Sequence, residues 1–209
     1  MESAHTFASQ ALSLILLIPF LLFISNTQAV SPASSTQTYK TYIKTACNST
    51  TFPQDCYTSL SPYASKIKSN PQKLCIYALS QALRATKTTF STVRKLNKTK
   101  GLSHFDKDVI QDCLDNINYA IDGLKDSLDT MNNLNETDTE FQLGNVKTWV
   151  SAAITDEDTC TDGFEDDDQN ASSSLKVMKQ QIKKNIVVVA RSTSNALALV
   201  NHLNYTTNY

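Results

Sequence analysis

Few side chains in this sequence are placed to do chemistry at neutral pH. Of three histidines, His5 lies in an apolar N-terminal segment, and only His104 and His202 remain beyond it. Each is isolated and falls near the end of a helical run, which suits a surface or structural imidazole better than a partnered general base. No G-x-S-x-G, H-E-x-x-H or glycine-rich phosphate loop occurs. The cysteines form no C-x-x-C, so zinc and thioredoxin-like redox chemistry lack a template. A glycosidase needs two carboxylates across a sugar. Acids scattered over helical surfaces produce such pairs by chance, so they read as solvated faces. The densest acidic run, Asp156 to Asp168, suggests calcium. The EF-hand pattern fails there because Cys160 takes an oxygen-ligand position and the glycine falls out of register. No metal and no cofactor is expected. The acids are left as helix caps, solubilising charge or a partner-facing surface.

Five cysteines stand at 47, 56, 75, 113 and 160. In a secreted chain an even subset pairs and one is left over; four pairing cysteines allow three connectivities, and periodicity does not choose among them. Five N-x-Ser/Thr sequons occur, at Asn48, Asn97, Asn135, Asn170 and Asn204. Asn97, Asn135 and Asn170 fall between helical runs, where a glycan is tolerated.

Secretion is itself an expectation. The stretch Ala11 to Ile24 is apolar but shorter than the roughly 20 residues that span a bilayer. Small residues follow at Thr27 and Ala29. Residues 1–29 therefore read as a signal peptide, although the first ten residues carry no Lys or Arg; the alternative is a non-cleaved anchor. All 19 basic residues and all acids except Glu2 lie beyond residue 29, so the remainder is near neutral. That excludes the basic excess of broad nucleic-acid binding. No later stretch is apolar enough to span a membrane.

These features must be positioned by helices. Glycine is scarce, at 101, 123, 144 and 163, too few for the turns of an all-β chain. The spacing predicts a helix from Pro71 to Leu96, with Leu74, Ala78, Ala82, Ala85, Thr89, Val93 and Leu96 at steps of three and four. A second begins near Ser103 with a capping-box-like Asp106, and its stripe runs through Val109, Cys113, Ile117, Ala120, Leu124, Leu128, Met131 and Leu134. A third, shorter run covers about Phe141 to Thr155 and holds Trp149. A fourth spans about Ser174 to Leu203, with Met178, Ile182, Val189, Ala196 and Leu199 on its seam and Ile186, Val187 and Val188 widening it. The fold class expected is all-α: an antiparallel four-helix bundle over 71–203. A flexible leader at 30–37 and short broken helices over 38–66 precede it, within a single domain at 38–204.

A joint pattern is more specific than any of its pieces. Tyr42-Ile43-Lys44-Thr45-Ala46-Cys47 is followed, after eight residues, by Cys56-Tyr57-Thr58-Ser59-Leu60. Later come Asp112-Cys113-Leu114-Asp115-Asn116 and Ala120-Ile121-Asp122-Gly123-Leu124, then Val146-Lys147-Thr148-Trp149-Val150-Ser151-Ala152-Ala153 and Asp158-Thr159-Cys160-Thr161-Asp162-Gly163-Phe164. Across residues 38–203 this resembles the plant invertase/pectin methylesterase inhibitor family. The resemblance implies that Cys47 pairs with Cys56, closing a helical hairpin, and that Cys113 pairs with Cys160. Cys75 is then a buried thiol.

The resemblance also implies a function. The family contains inhibitors of pectin methylesterases and of acid invertases; it does not consist of catalysts. The Pro-Lys-Phe motif typical of the invertase branch is absent, and the Trp149 and Cys160 segments look more like the methylesterase branch. They also resemble the pro-regions fused ahead of plant methylesterases, but nothing after Leu203 suggests a catalytic β-helix. The expectation is a stand-alone, secreted, apoplastic monomer that blocks a pectin methylesterase one-to-one and without covalent chemistry. Interface candidates carried over by position are Asp115, Asn116 and Asp122 on the second helix, and Thr159 and Asp162 beside Cys160; Tyr119 stands where the family often has a smaller or acidic residue. An acid-invertase inhibitor is the alternative on the same fold. A helical module binding apolar ligands or membranes is the alternative from another class.

Overall fold

The computed structural model describes residues 32–162 and 173–203. The bundle belongs to the unit Thr36–Tyr209. The expected signal peptide, the sequons at Asn170 and Asn204, and the end of the acidic run from Gly163 onward lie outside the described residues.

The helices are α1 (Pro32–Cys47), α2 (Pro53–Leu60), a 3-10 turn (Ser61–Tyr63), α3 (Ala64–Ile67), α4 (Pro71–Leu96), α5 (His104–Asn132), α6 (Thr139–Asp162) and α7 (Ser173–Asn201). The last four form the antiparallel bundle. Each packs on two neighbours: α4 on α5 and α7, and α6 on α5 and α7. Gln72 Nε2 near the start of α4 donates to Met131 O near the end of α5 at 2.9 Å, which fixes their opposed directions. Among the described residues no helix is long and apolar enough to cross a membrane.

Local chemistry sets the helix starts. α4 opens with Pro71 behind Asn70, whose side chain accepts from Lys73 N at 2.8 Å. α5 opens on a reciprocal capping box: Ser103 Oγ accepts from Asp106 N, and Asp106 Oδ2 accepts from Ser103 N, both at 3.1 Å. The turn entering α4 places Lys68 and Ser69 at φ of 50° and 57°. Gly101, at φ 87°, supplies the left-handed residue in the connection to α5.

Three expectations about the elements need correction. α1 starts at Pro32, inside the stretch read as a flexible leader, and is one continuous helix of 16 residues. Its stripe of Tyr39, Tyr42, Ile43, Ala46 and Cys47 packs on the core, and that burial favours helix over coil. α6 runs on to Asp162, not Thr155, because Val150, Ala153, Glu157 and Cys160 continue its buried stripe. Val187 and Val188 do not widen the α7 seam, since only Ile186 of that trio is buried; consecutive residues on a helix diverge by about 100°.

The hairpin is tied to the bundle. Cys47 and Cys56 form a disulfide with S–S 1.98 Å, and α2 lies against α4 and α7. Buried Asn195 of α7 makes hydrogen bonds with the backbone of Phe52 at the entry to α2. The Arg191 guanidinium sits 5.1 Å from the centre of the Phe52 ring and 3.4 Å from Asp55.

Candidate partner-binding site

The capping box at Ser103 sets the register of α5. Ile110, Ile117 and Leu124 then point into the core, while Asp115, Tyr119 and Asp122, spaced by four and three, share an outer face. On α6 the buried Cys160 is flanked by Thr159 and Asp162, both exposed. Cys113 and Cys160 form the second disulfide, with S–S 2.04 Å and Cα–Cα 4.1 Å. Further along the same pair of helices, a Cβ on Gly123 would lie 3.1 Å from the Trp149 carbonyl oxygen. The two helices are thus held close at two levels.

Above the bridge runs a shallow groove of about 430 Å³, lined by Asp115, Asn116, Tyr119, Thr159 and Asp162 among others. Asp122 is not in its lining. It lies one heptad beyond Asp115, about 10 Å along the axis, and its carboxylate pairs with Lys125 Nζ at 2.8 Å. Asp115 accepts from Gln111 Nε2 at 3.0 Å, Asn116 Nδ2 donates to Asp112 O at 3.0 Å, and Thr159 Oγ1 donates to Thr155 O at 2.8 Å. These intrahelical bonds orient the side chains and leave acceptor lone pairs facing solvent. Tyr119, 64% exposed, is the large aromatic of this face. The groove therefore offers negative charge, hydrogen-bond acceptors and one aromatic ring. Among the described residues no cluster of His, Cys, Asp and Glu is arranged to hold a metal ion.

Glu157 escapes the sequence reading. It is fully buried on α6, where Oε1 accepts from Thr193 Oγ1 of α7 at 2.9 Å and lies 3.5 Å from Thr86 Oγ1 of α4. Oε2 is buried without a partner. Burial pushes this carboxyl up to about 8; Asp158 and Asp156 push the same way, and the hydroxyls of Thr193 and Thr86 oppose it. The legible signal was periodicity: Val146, Val150, Ala153, Glu157 and Cys160 recur by four and three.

A larger cleft of about 510 Å³ lies between α2, α4 and α7, with Arg84 and Arg191 in its lining. Arg191 is committed to Asp55 and the Phe52 ring, so this cleft is the seam between hairpin and bundle. Of the sequons, Asn48 and Asn135 are exposed, and Asn97, at the end of α4, has its carboxamide oxygen buried without a partner.

The fold is a helical bundle tied by two disulfides, and known proteins share it. The model of the plant invertase/pectin methylesterase inhibitor family matches residues 41–199. The chain is 41% identical over 174 residues to pectinesterase inhibitor 10 of Arabidopsis thaliana, covering 82% of this chain and 54% of that protein. It therefore spans about half the length of that relative. It is 40% identical to the 21 kDa protein of Daucus carota, covering 87% of this chain and 90% of that one. With pectinesterase inhibitor 4 of Arabidopsis thaliana it shares 39% identity, over 90% and 96% of the two chains. Mutant form A of a pectin methylesterase inhibitor from Arabidopsis superposes with a TM-score of 0.58 at 21% identity, over 78% of this chain and 98% of that one, which shows the shared fold. The chain belongs to the plant invertase/pectin methylesterase inhibitor family.

Proposed function

We propose that this chain is a secreted inhibitor of plant cell-wall pectin methylesterase. It docks the α5–α6 face on the enzyme and reversibly excludes pectin from the substrate cleft. The observation that carries this reading is the groove over Cys113–Cys160, where Asp115, Asn116, Thr159 and Asp162 surround an exposed tyrosine. Relatives named as pectinesterase inhibitors, at about 40% identity, support the same target class. Inhibition is by occupancy, with one inhibitor per enzyme and no bond made or broken. An interface of this kind buries on the order of 1,600 Å². Two helices fixed by a disulfide lose little entropy on docking.

The test is a titration of the secreted protein against pectin methylesterase and against acid invertase, following methanol release and sucrose hydrolysis. Stoichiometric loss of methylesterase turnover with invertase unaffected is expected. Loss of invertase turnover alone overturns the target, and release of methanol by the protein itself overturns the inhibitory reading.

A further inference from the structure

Glu157 is the one carboxyl or amine among the described residues that is buried, and the docking mechanism does not use it. Three elements enclose its surroundings. α4 contributes the Thr86 hydroxyl and α7 the Thr193 hydroxyl. α5 is joined three residues further along α6 through the uncharged bridge Cys113–Cys160. Among the described residues of α4, α5 and α7, none that is buried is charged. The charges that act on Glu157 come from Asp158 and Asp156 of its own helix, and both are negative. The other buried titratable group facing the core from α4 is Cys75, about 16 Å along the helix from Thr86.

The two protonation states differ sharply in how their polar atoms are satisfied. Thr193 Oγ1 lies 3.1 Å from Val189 O, and Thr86 Oγ1 lies 2.9 Å from Ala82 O. Each hydroxyl has a single proton to give. A neutral carboxyl can donate through Oε1 to Thr193 Oγ1, whose own O–H donates to Val189 O; Oε2 is then an uncharged carbonyl oxygen. An ionised carboxylate needs both hydroxyls to abandon their helix carbonyls, and Oε2 still carries charge with no donor. A buried charge without a cation or a full set of donors is costly.

We infer that Glu157 is a proton-operated latch for the inhibitory face: protonated, it seats α6 against α4 and α7; ionised, it loosens the α6 segment that carries Thr159 and Asp162. The regulatory consequence rests on the inhibitory reading above, but the latch itself does not. Folded-state protonation persists to about 8, against an ordinary value of 4.5. Between those values the folded chain keeps a proton that the unfolded chain has released, so stability falls as pH rises through that window and levels off above it. The latch is closed in acid.

The test uses the full secreted protein and its Glu157→Gln variant, whose amide is neutral at every pH. Melting temperature is followed from pH 5 to 9, with the 13C shift of the Glu157 carboxyl as a direct readout. The native protein is expected to lose about 10 °C between pH 5 and 8, with the variant nearly flat. The carboxyl carbon should titrate near 8. Against methylesterase, the native protein's potency relative to the variant should fall on the order of tenfold from pH 6 to 8.5. A variant that parallels the native melting profile overturns the latch. So does a Glu157 carboxyl that titrates in the ordinary carboxylate range, a result that decides even if the variant does not fold. A native melting slope without inhibition at any pH supports the latch and overturns the inhibitory reading.

Discussion

Asn195 of α7 grips Phe52 by both of its backbone groups: Oδ1 accepts from Phe52 N and Nδ2 donates to Phe52 O, each at 2.9 Å. The two residues are 143 positions apart, so a carboxamide in the last helix does the work of a β-bridge for the residue that opens α2. Asn195→Ala leaves the partly buried Phe52 N–H without a partner, at about 1–2 kcal/mol, while Phe52 O keeps its bond from Cys56 N at 3.0 Å. Asn195→Asp keeps the acceptor but turns a carboxylate oxygen toward Phe52 O at a buried position, and should cost more at neutral pH. Denaturant unfolding measures both. Faster exchange of the Phe52 amide, with core amides of α5 unchanged, would place the damage at the hairpin.

Tyr119, 64% exposed, is the large aromatic side chain of the proposed docking face. Aromatic anchors surrounded by a polar rim carry a disproportionate share of interface energy. Tyr119→Ala should weaken inhibition roughly thirtyfold, equivalent to about 2 kcal/mol, without lowering the melting temperature. Asp115→Asn and Asp162→Asn should each weaken it several-fold and reduce its dependence on salt. Inhibition constants at two ionic strengths separate the aromatic contribution from the electrostatic one.

The glycines of α5 and α6 make opposite predictions. Gly144 is exposed with open space around its would-be Cβ. Gly144→Ala should stabilise the protein by about 0.5–1 kcal/mol through helix propensity alone. Gly123→Ala gains the same propensity but drives a methyl to 3.1 Å from the Trp149 carbonyl oxygen, and backbone atoms yield poorly. Overpacking of about 1–3 kcal/mol should cancel the gain or reverse it. The sign of the difference in unfolding free energy is the readout.

Cys75 is a free thiol 1% exposed. Burial pushes it up to about 12, so thiolate is absent at neutral pH. A thiol reagent should label the folded protein at the rate of unfolding, and label it at once in denaturant. Prompt labelling of native protein would contradict this packing. Because the folded thiol keeps its proton above the ordinary 9.0, its contribution to stability should decline as pH climbs from 9 toward 12.

Much of this architecture was legible in the sequence. The stretch Pro71 to Leu96 announces its start by Asn70-Pro71 and its buried face by three- and four-residue steps, and the capping pair Ser103 and Asp106 fixes the start of α5. The last turns of α6 were illegible for a physical reason. From Asp156 to Asp162 charge dominates composition, and the buried stripe there consists of Glu157 and Cys160, one of which reads as a surface residue until its hydroxyl partners are seen. The grip of Asn195 on Phe52 is equally invisible, since nothing local distinguishes an amide that serves a distant backbone from one that faces water. The candidate site was half legible. The positions of Asp115, Asn116, Thr159 and Asp162 came by resemblance, while their gathering around Tyr119 needed the helices to be placed.

The disulfide and the Gly123–Trp149 approach act as two rungs of a ladder whose side rails are α5 and α6. Both rungs face inward, so the outward residues between them bear no weight. Such a surface is free to drift: replacing Asp115, Tyr119 or Asp122 would re-aim it at a different enzyme while the scaffold beneath stayed as it was, so one bundle can be the common ancestor of inhibitors with different targets.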